Sequence, residues 1–142
     1  MTESQAKFDG LSVAAGNSYS YSRRFDTSFG ASWYRTTIRV INGDVVERVV
    51  EDHYHADGNV ITETSASQNL GDSSFGHPVK TMPELYDECR NEVLTQDPEK
   101  NEITLGFFDS GVLQYCFYRQ KGCVDDCTVG VTIEMLNFDT ND

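Results

Sequence analysis

Apolar and polar residues alternate along most of the chain with the period of two that puts every second side chain on the same face of a β-strand. Ser18 to Arg24 carries Tyr19, Tyr21 and Arg23 on one side and Ser18, Ser20 and Ser22 on the other. Trp33 to Ile41 resumes the alternation with Tyr34, Thr36, Ile38 and Val40. Asn42-Gly43-Asp44 then supplies residues that tolerate positive φ, a strong hairpin signal, and Val45 to Tyr54 runs back. Farther along, Ile103, Leu105 and Phe107 alternate, and Val112 to Gln120 is the most apolar segment. Thr128 to Leu136 puts Val129, Val131, Ile133 and Met135 on one face, so the last three segments predict a meander.

One stretch departs from this period. Thr81-Met82-Pro83-Glu84 reads as a capping box with a proline in the first turn, and Met82, Leu85, Tyr86, Cys89 and Val93 then recur at helical spacing. The pattern predicts a helix over about 82–95, stopped at the turn Asp97-Pro98-Glu99-Lys100-Asn101. A stripe this narrow must lie on something. The expected fold is α+β: a single antiparallel sheet of about five to seven strands with one main helix packed on one face.

The organisation expected around that sheet is simple. Residues 1–17 read as a flexible tail with Phe8, Leu11 and Val13 as its only anchors, though a short helix from about Phe8 to Ala15 is conceivable within it. Residues 18–138 form one domain, and 139–142 a C-terminal tail. Within the domain, 56–78 is a long excursion rich in Gly, Ser, Asn and Asp, with Asn59 to Thr64 as a candidate edge strand.

Size and charge narrow the partners. A chain of 142 residues can bury a core without metal. Its net charge of -12, from 23 acidic and 11 basic residues, repels phosphate backbones and anionic membranes, which argues against nucleic acid as a partner. No run has the length of a transmembrane helix. The first ten residues lack the basic start and apolar centre of a signal peptide.

The four cysteines bear on compartment. They allow three pairings. Cys123 with Cys127, around a short acidic turn, and Cys89 with Cys116, from the buried face of the helix to an aromatic strand, is the favoured set, and it implies an oxidising compartment. Four free thiols in a cytosolic protein is the competing reading.

The order Tyr19-Ser20-Tyr21, Thr37-Ile38-Arg39-Val40-x-x-Gly43-x-Val45-Val46, Thr81-Met82-Pro83-Glu84-Leu85-Tyr86, Phe108-Asp109-Ser110-Gly111-Val112-Leu113 and Asp125-Asp126 resembles a family of small exported bacterial proteins, often lipoproteins, known as a domain of unknown function. The resemblance runs from Tyr19 to Leu136. It departs at the inserted Asp52 to Val79 stretch and at Val112-Leu113, where such sequences often carry a proline. It implies an extracytoplasmic α+β domain, periplasmic or secreted, with no established catalytic residue. A lipid anchor lost from the N-terminus belongs to the same reading.

Candidate chemistry is sparse. His53 and His55 share a strand face and could meet one divalent metal, with Asp52, Asp57, Glu51 or His77 completing the shell. Asp125 and Asp126 lack the spacing of a calcium loop, and Asp109 before Ser110-Gly111 is a turn residue. No Gly-x-Ser-x-Gly or phosphate-cradling glycine loop is present. With 23 acids, a proximate carboxylate pair somewhere is expected by chance. Aromatics and arginines concentrate near the first turn, and Tyr19, Tyr21, Arg23, Trp33, Tyr34 and Arg35 are the residue types that dominate binding hot spots. The expected function is therefore a non-catalytic extracytoplasmic binding protein for a protein or small ligand. Divalent metal binding through His53 and His55 is the alternative, and a hydrolase with an unrecognised carboxylate site ranks third.

Overall fold

The computed structural model describes residues 1–26, 33–53, 60–66, 69–72, 76–124 and 127–139. In chain order the elements are α1 (Thr2–Ala14), β1 (Tyr19–Asp26), β2 (Trp33–Ile41), β3 (Asp44–Asp52), β4 (Val60–Thr64), α2 (Met82–Glu88) running into a π-helical turn (Cys89–Val93), β5 (Asn101–Phe107), β6 (Leu113–Gln120), β7 (Thr128–Thr132) and β8 (Met135–Phe138).

The expected single sheet with one main helix on its face is overturned. The strands form two antiparallel sheets, one of five in the order β4-β3-β2-β1-β8 and one of three in the order β5-β6-β7, and the fold is mostly β. The cause lies in the last alternating run, which is two strands instead of one. The Ile133 N–H donates to the Gln114 carbonyl at 2.9 Å, completing the three-stranded sheet, and the next amide, Glu134, donates to the Ser22 carbonyl at 2.8 Å, beginning the pairing of β8 with β1. A uniform period of two cannot show where a strand changes partners. Val131 and Ile133 are buried accordingly, while Val129 and Met135 are exposed.

The chain folds as two compact units: Met1–Gly10 with Met82–Ile133, and Leu11–Thr81 with Glu134–Asp142.

In the first unit, the predicted helical stripe is the core. Met82, Leu85, Tyr86, Cys89 and Val93 are at most 1% exposed. The α-helix is shorter than expected because it widens at Cys89, where the Leu94 N–H reaches back five residues to the Cys89 carbonyl at 2.9 Å. A disulfide ties Cys89 to Cys116 of the central strand β6, with the Cα atoms 5.6 Å apart. Tyr86 is the polar anchor: its hydroxyl accepts the Leu113 N–H at 2.9 Å and bonds the Ser4 hydroxyl at 2.6 Å, and the Phe8 ring lies 6.0 Å from its own. Burial pushes the Tyr86 phenol up, with those hydrogen bonds opposing.

Residues 2–14, expected to be part of a loose tail, are helical. The burial falls on Ser4, Phe8, Ser12 and Ala15, which share one helical face, so small and hydroxyl side chains replace the usual apolar stripe. That is why hydropathy does not reveal it. The end is well specified. Gly16 and Asn17 have φ of 66° and 57°, Asn17 N–H bonds the Ser12 carbonyl at 2.7 Å and Gly16 N–H bonds the Val13 carbonyl at 3.1 Å, the pattern of a Schellman cap.

In the second unit, the predicted hairpin forms, with Asn42 at φ 53° and Gly43 at φ 85° between β2 and β3. β4 adds an edge strand from within the excursion. The inner face of this sheet is buried yet polar: Arg23, Thr36, Arg48, Asp52 and Glu63 lie among Tyr19, Tyr21, Ile38, Val40 and Val50. Such a face needs internal partners, since a buried charge without one is costly. Arg48 and Glu63 form a direct ion pair. The segment from Gly76 to Lys80 lies along this face, with the His77 N–H donating to the Thr36 hydroxyl at 3.0 Å, the Arg48 Nε donating to the His77 carbonyl at 2.8 Å and the Tyr21 hydroxyl donating to the Lys80 carbonyl.

Candidate functional site

Strand alternation separates the six candidate binding residues. Tyr19, Tyr21 and Arg23 are 1–4% exposed on the inner face, where they serve the core. Tyr34 has the same parity and stacks on Phe25 at the far end of the β1–β2 pair, with ring centroids 6.2 Å apart. Trp33 and Arg35 have the opposite parity and stand on the outer face.

Around those two the outer face carries an ordered array. In register, Arg24 of β1 lies opposite Arg35 of β2, which lies opposite Glu51 of β3. Two arginines side by side repel, and carboxylates answer each of them. Arg24 Nε bonds Asp26 at 2.8 Å. Arg35 is held by Glu134 in a two-pronged pair, Nε to Oε1 at 2.6 Å and Nη2 to Oε2 at 3.2 Å, with Glu51 at 3.9 Å. Ser22 donates its hydroxyl to the same Glu134 at 3.1 Å. The hydrogen bond from Arg35 leads the causes that hold the Glu134 carboxyl below the usual carboxylate range, and Glu134 in turn pushes the Arg35 guanidinium up.

Trp33 sits in the middle of these charges. The His53 ring stacks on it, with centroids 3.8 Å apart and planes 13° from parallel, and the guanidinium carbons of Arg24 and Arg35 stand 4.1 Å and 4.9 Å from its centroid. His53 directly follows β3 and Arg24 belongs to β1, the strands on either side of β2, so the indole is approached from both flanks. Each such cation–π contact contributes about 0.5–1 kcal/mol at an exposed site. His53 is fixed by its backbone N–H to the Trp33 carbonyl at 2.9 Å, and its Nε2 lies 3.6 Å from Glu51.

Of the candidate metal ligands, His53 is on this outer face, while Asp52, the adjacent strand residue, is buried on the inner one. His55 and Asp57 lie outside the described residues, as do Asp125 and Asp126. Among the described residues no three His, Cys, Asp or Glu side chains gather as a metal site. His77 is on the inner face of the sheet. Burial first, then the charges of Arg23 and Arg48, push its imidazole down to about 4, opposed by a hydrogen bond with the Arg24 backbone. Its Nε2 has no partner among the described residues.

One member of the outer array, Glu134, was not legible as a site residue. Glu134 lies 99 positions from Arg35, and only the pairing of β8 with β1 brings them together. The disulfides are the pairs expected, Cys89–Cys116 and Cys123–Cys127, and they indicate an oxidising environment. Among the described residues no helix is long and apolar enough to cross a membrane. No protein-family model, curated protein or solved structure matches the chain.

Proposed function

We propose that this is a non-catalytic binding protein of an extracytoplasmic compartment, periplasmic or secreted, whose recognition surface is the outer face of the five-stranded sheet around Trp33. The observation that carries the reading is the array itself: one tryptophan flanked by His53 and Arg24, with Arg35 braced by Glu134. Tryptophan and arginine are the residue types in which binding energy concentrates, and cross-strand pairing holds them in place before a ligand arrives. A guanidinium has five donors, and Arg35 commits two to Glu134, so donors remain for a ligand carboxylate beside the indole edge. The ligand class that fits is a carboxylate next to a flat apolar or aromatic group, on a small molecule or a peptide segment.

Binding is favoured over catalysis by the state of Glu134, the carboxylate that braces Arg35. Glu134, stabilised as the anion by Arg35 and Ser22, is a weak base and a poor proton donor near neutral pH. The resemblance to small exported proteins and the two disulfides support the compartment. The test is calorimetry of short acidic aromatic peptides against wild type and Trp33→Ala. Saturable heat lost in the variant supports the reading, and equal heats, or none with wild type, contradict it.

A further inference from the structure

The segment Gly76–Lys80 is attached to the inner face of the five-stranded sheet by its backbone, and it carries a buried imidazole. The attachment is tight. Gly76 has φ +83°, and a Cβ there would meet the Thr36 hydroxyl at 2.7 Å and a Val50 methyl at 2.9 Å, so only glycine allows the chain this close. The next amide bonds Thr36, the His77 carbonyl takes the Arg48 Nε, and the Lys80 carbonyl takes the Tyr21 hydroxyl.

The imidazole at the centre of this attachment is poorly placed to gain a proton. Its Nε2 is buried and has no acceptor among the described residues. The charged groups around it are Arg23 from β1 and Arg48 from β3, both cationic, with Glu63 of β4 already committed to Arg48 and Asp52 of β3 buried on the same face. A proton on Nε2 adds a third positive charge and a buried donor lacking an acceptor there, and both penalties vanish if the ring swings into water.

We propose that the segment from Gly76 to Lys80 is an acid-released strap, in which protonation of His77 detaches the segment from the inner face of the sheet and uncovers Thr36 and Val50. The device is independent of the outer face and does not rest on the binding reading. From neutral pH to pH 4 the open-to-closed ratio rises by about a hundredfold, the change that follows from a ring titrating near its free value when open and near 4 when closed.

The experiment is hydrogen exchange of wild type, His77→Asn and His77→Leu at pH 7 and pH 4, corrected for the intrinsic rate. The expected result is that protection of the His77 amide falls about a hundredfold at pH 4 in wild type and not in either variant, while the Leu113 amide of the other unit stays protected. The proposal is overturned if the His77 amide stays protected at pH 4, if the variants lose protection equally, or if Leu113 opens with it. Should neither variant fold, an NMR titration of wild type decides: a His77 ring titrating near 6.5 in the folded protein overturns the strap, and one near 4 that opens with the His77 amide supports it.

Discussion

Arg48 of β3 and Glu63 of β4 stand directly opposite each other across the ladder, with side chains 2% and 3% exposed, and form an ion pair inside the sheet's buried face. Breaking such a pair leaves a buried charge without its counter-ion, which costs far more than the pair is worth. Glu63→Leu is therefore expected to destabilise the protein by about 3–5 kcal/mol, and Arg48→Met with Glu63→Leu to recover most of it. Denaturant unfolding of the single and double variants measures the difference. A double variant as unstable as the single one would show that the pair itself is needed.

The two disulfides should separate under mild reduction. Cys89 and Cys116 are fully buried, whereas Val124, between Cys123 and Cys127, is 88% exposed. Reduction of the folded protein followed by alkylation should label Cys123 and Cys127 first, with Cys89 and Cys116 labelled only in denaturant, as peptide mass mapping would read. Cys89 and Cys116 lie 27 positions apart, and loss of the loop they close is expected to cost about 3–4 kcal/mol, against about 2 for the short loop.

Acid should weaken the fold through His77. Its folded pKa, about 4, lies below the free value of 6.5, so the unfolded chain takes up the proton first. Stability is therefore full above pH 6.5 and falls as the pH drops towards 4, by about 3 kcal/mol if the ring stays buried. Glu134, depressed by Arg35, contributes in the same direction, present above its unfolded pKa and lost as the pH falls through the folded one. His77→Leu removes only the first component, so the difference between the wild-type and variant pH profiles isolates it.

Gly76→Ala tests the fit of the segment on the sheet. The left-handed backbone and the contacts with Thr36 and Val50 both oppose a side chain, and a loss of about 1–3 kcal/mol is expected in thermal or denaturant unfolding. Gly16→Ala, where nothing lies within 4 Å of the added carbon, should cost less despite its positive φ.

Local chemistry was legible in the chain; partner choice was not. The Asn42-Gly43 hairpin, the stripe from Met82 to Val93 and the Cys123–Cys127 pair follow from short spacings whose physics is complete within a few residues, and the Cys89–Cys116 pair from packing the buried face of that stripe on an aromatic strand. The split into two sheets depends on which neighbour each amide finds, and Ile133 and Glu134 show two consecutive amides choosing differently. Of α1 only a short helix from about Phe8 was anticipated, because Ser4 and Ser12 are buried where a hydropathy pattern expects Leu. Grouping Tyr19, Tyr21 and Arg23 with Trp33 and Arg35 by sequence proximity obscured the alternation that puts them on opposite faces. Arg24, on the Trp33 side, is one residue away from Arg23.

The most direct measurement uses Trp33, the single tryptophan of the chain, as its own reporter. Its emission is followed while wild type, Arg24→Ala and, as a control, a variant of β6 in the other unit, Tyr115→Ala, at a side chain 41% exposed, are titrated with short acidic aromatic peptides at low salt. The account predicts a saturable change in wild type and Tyr115→Ala that disappears in Arg24→Ala. An emission that never moves, or moves equally in Arg24→Ala, contradicts it.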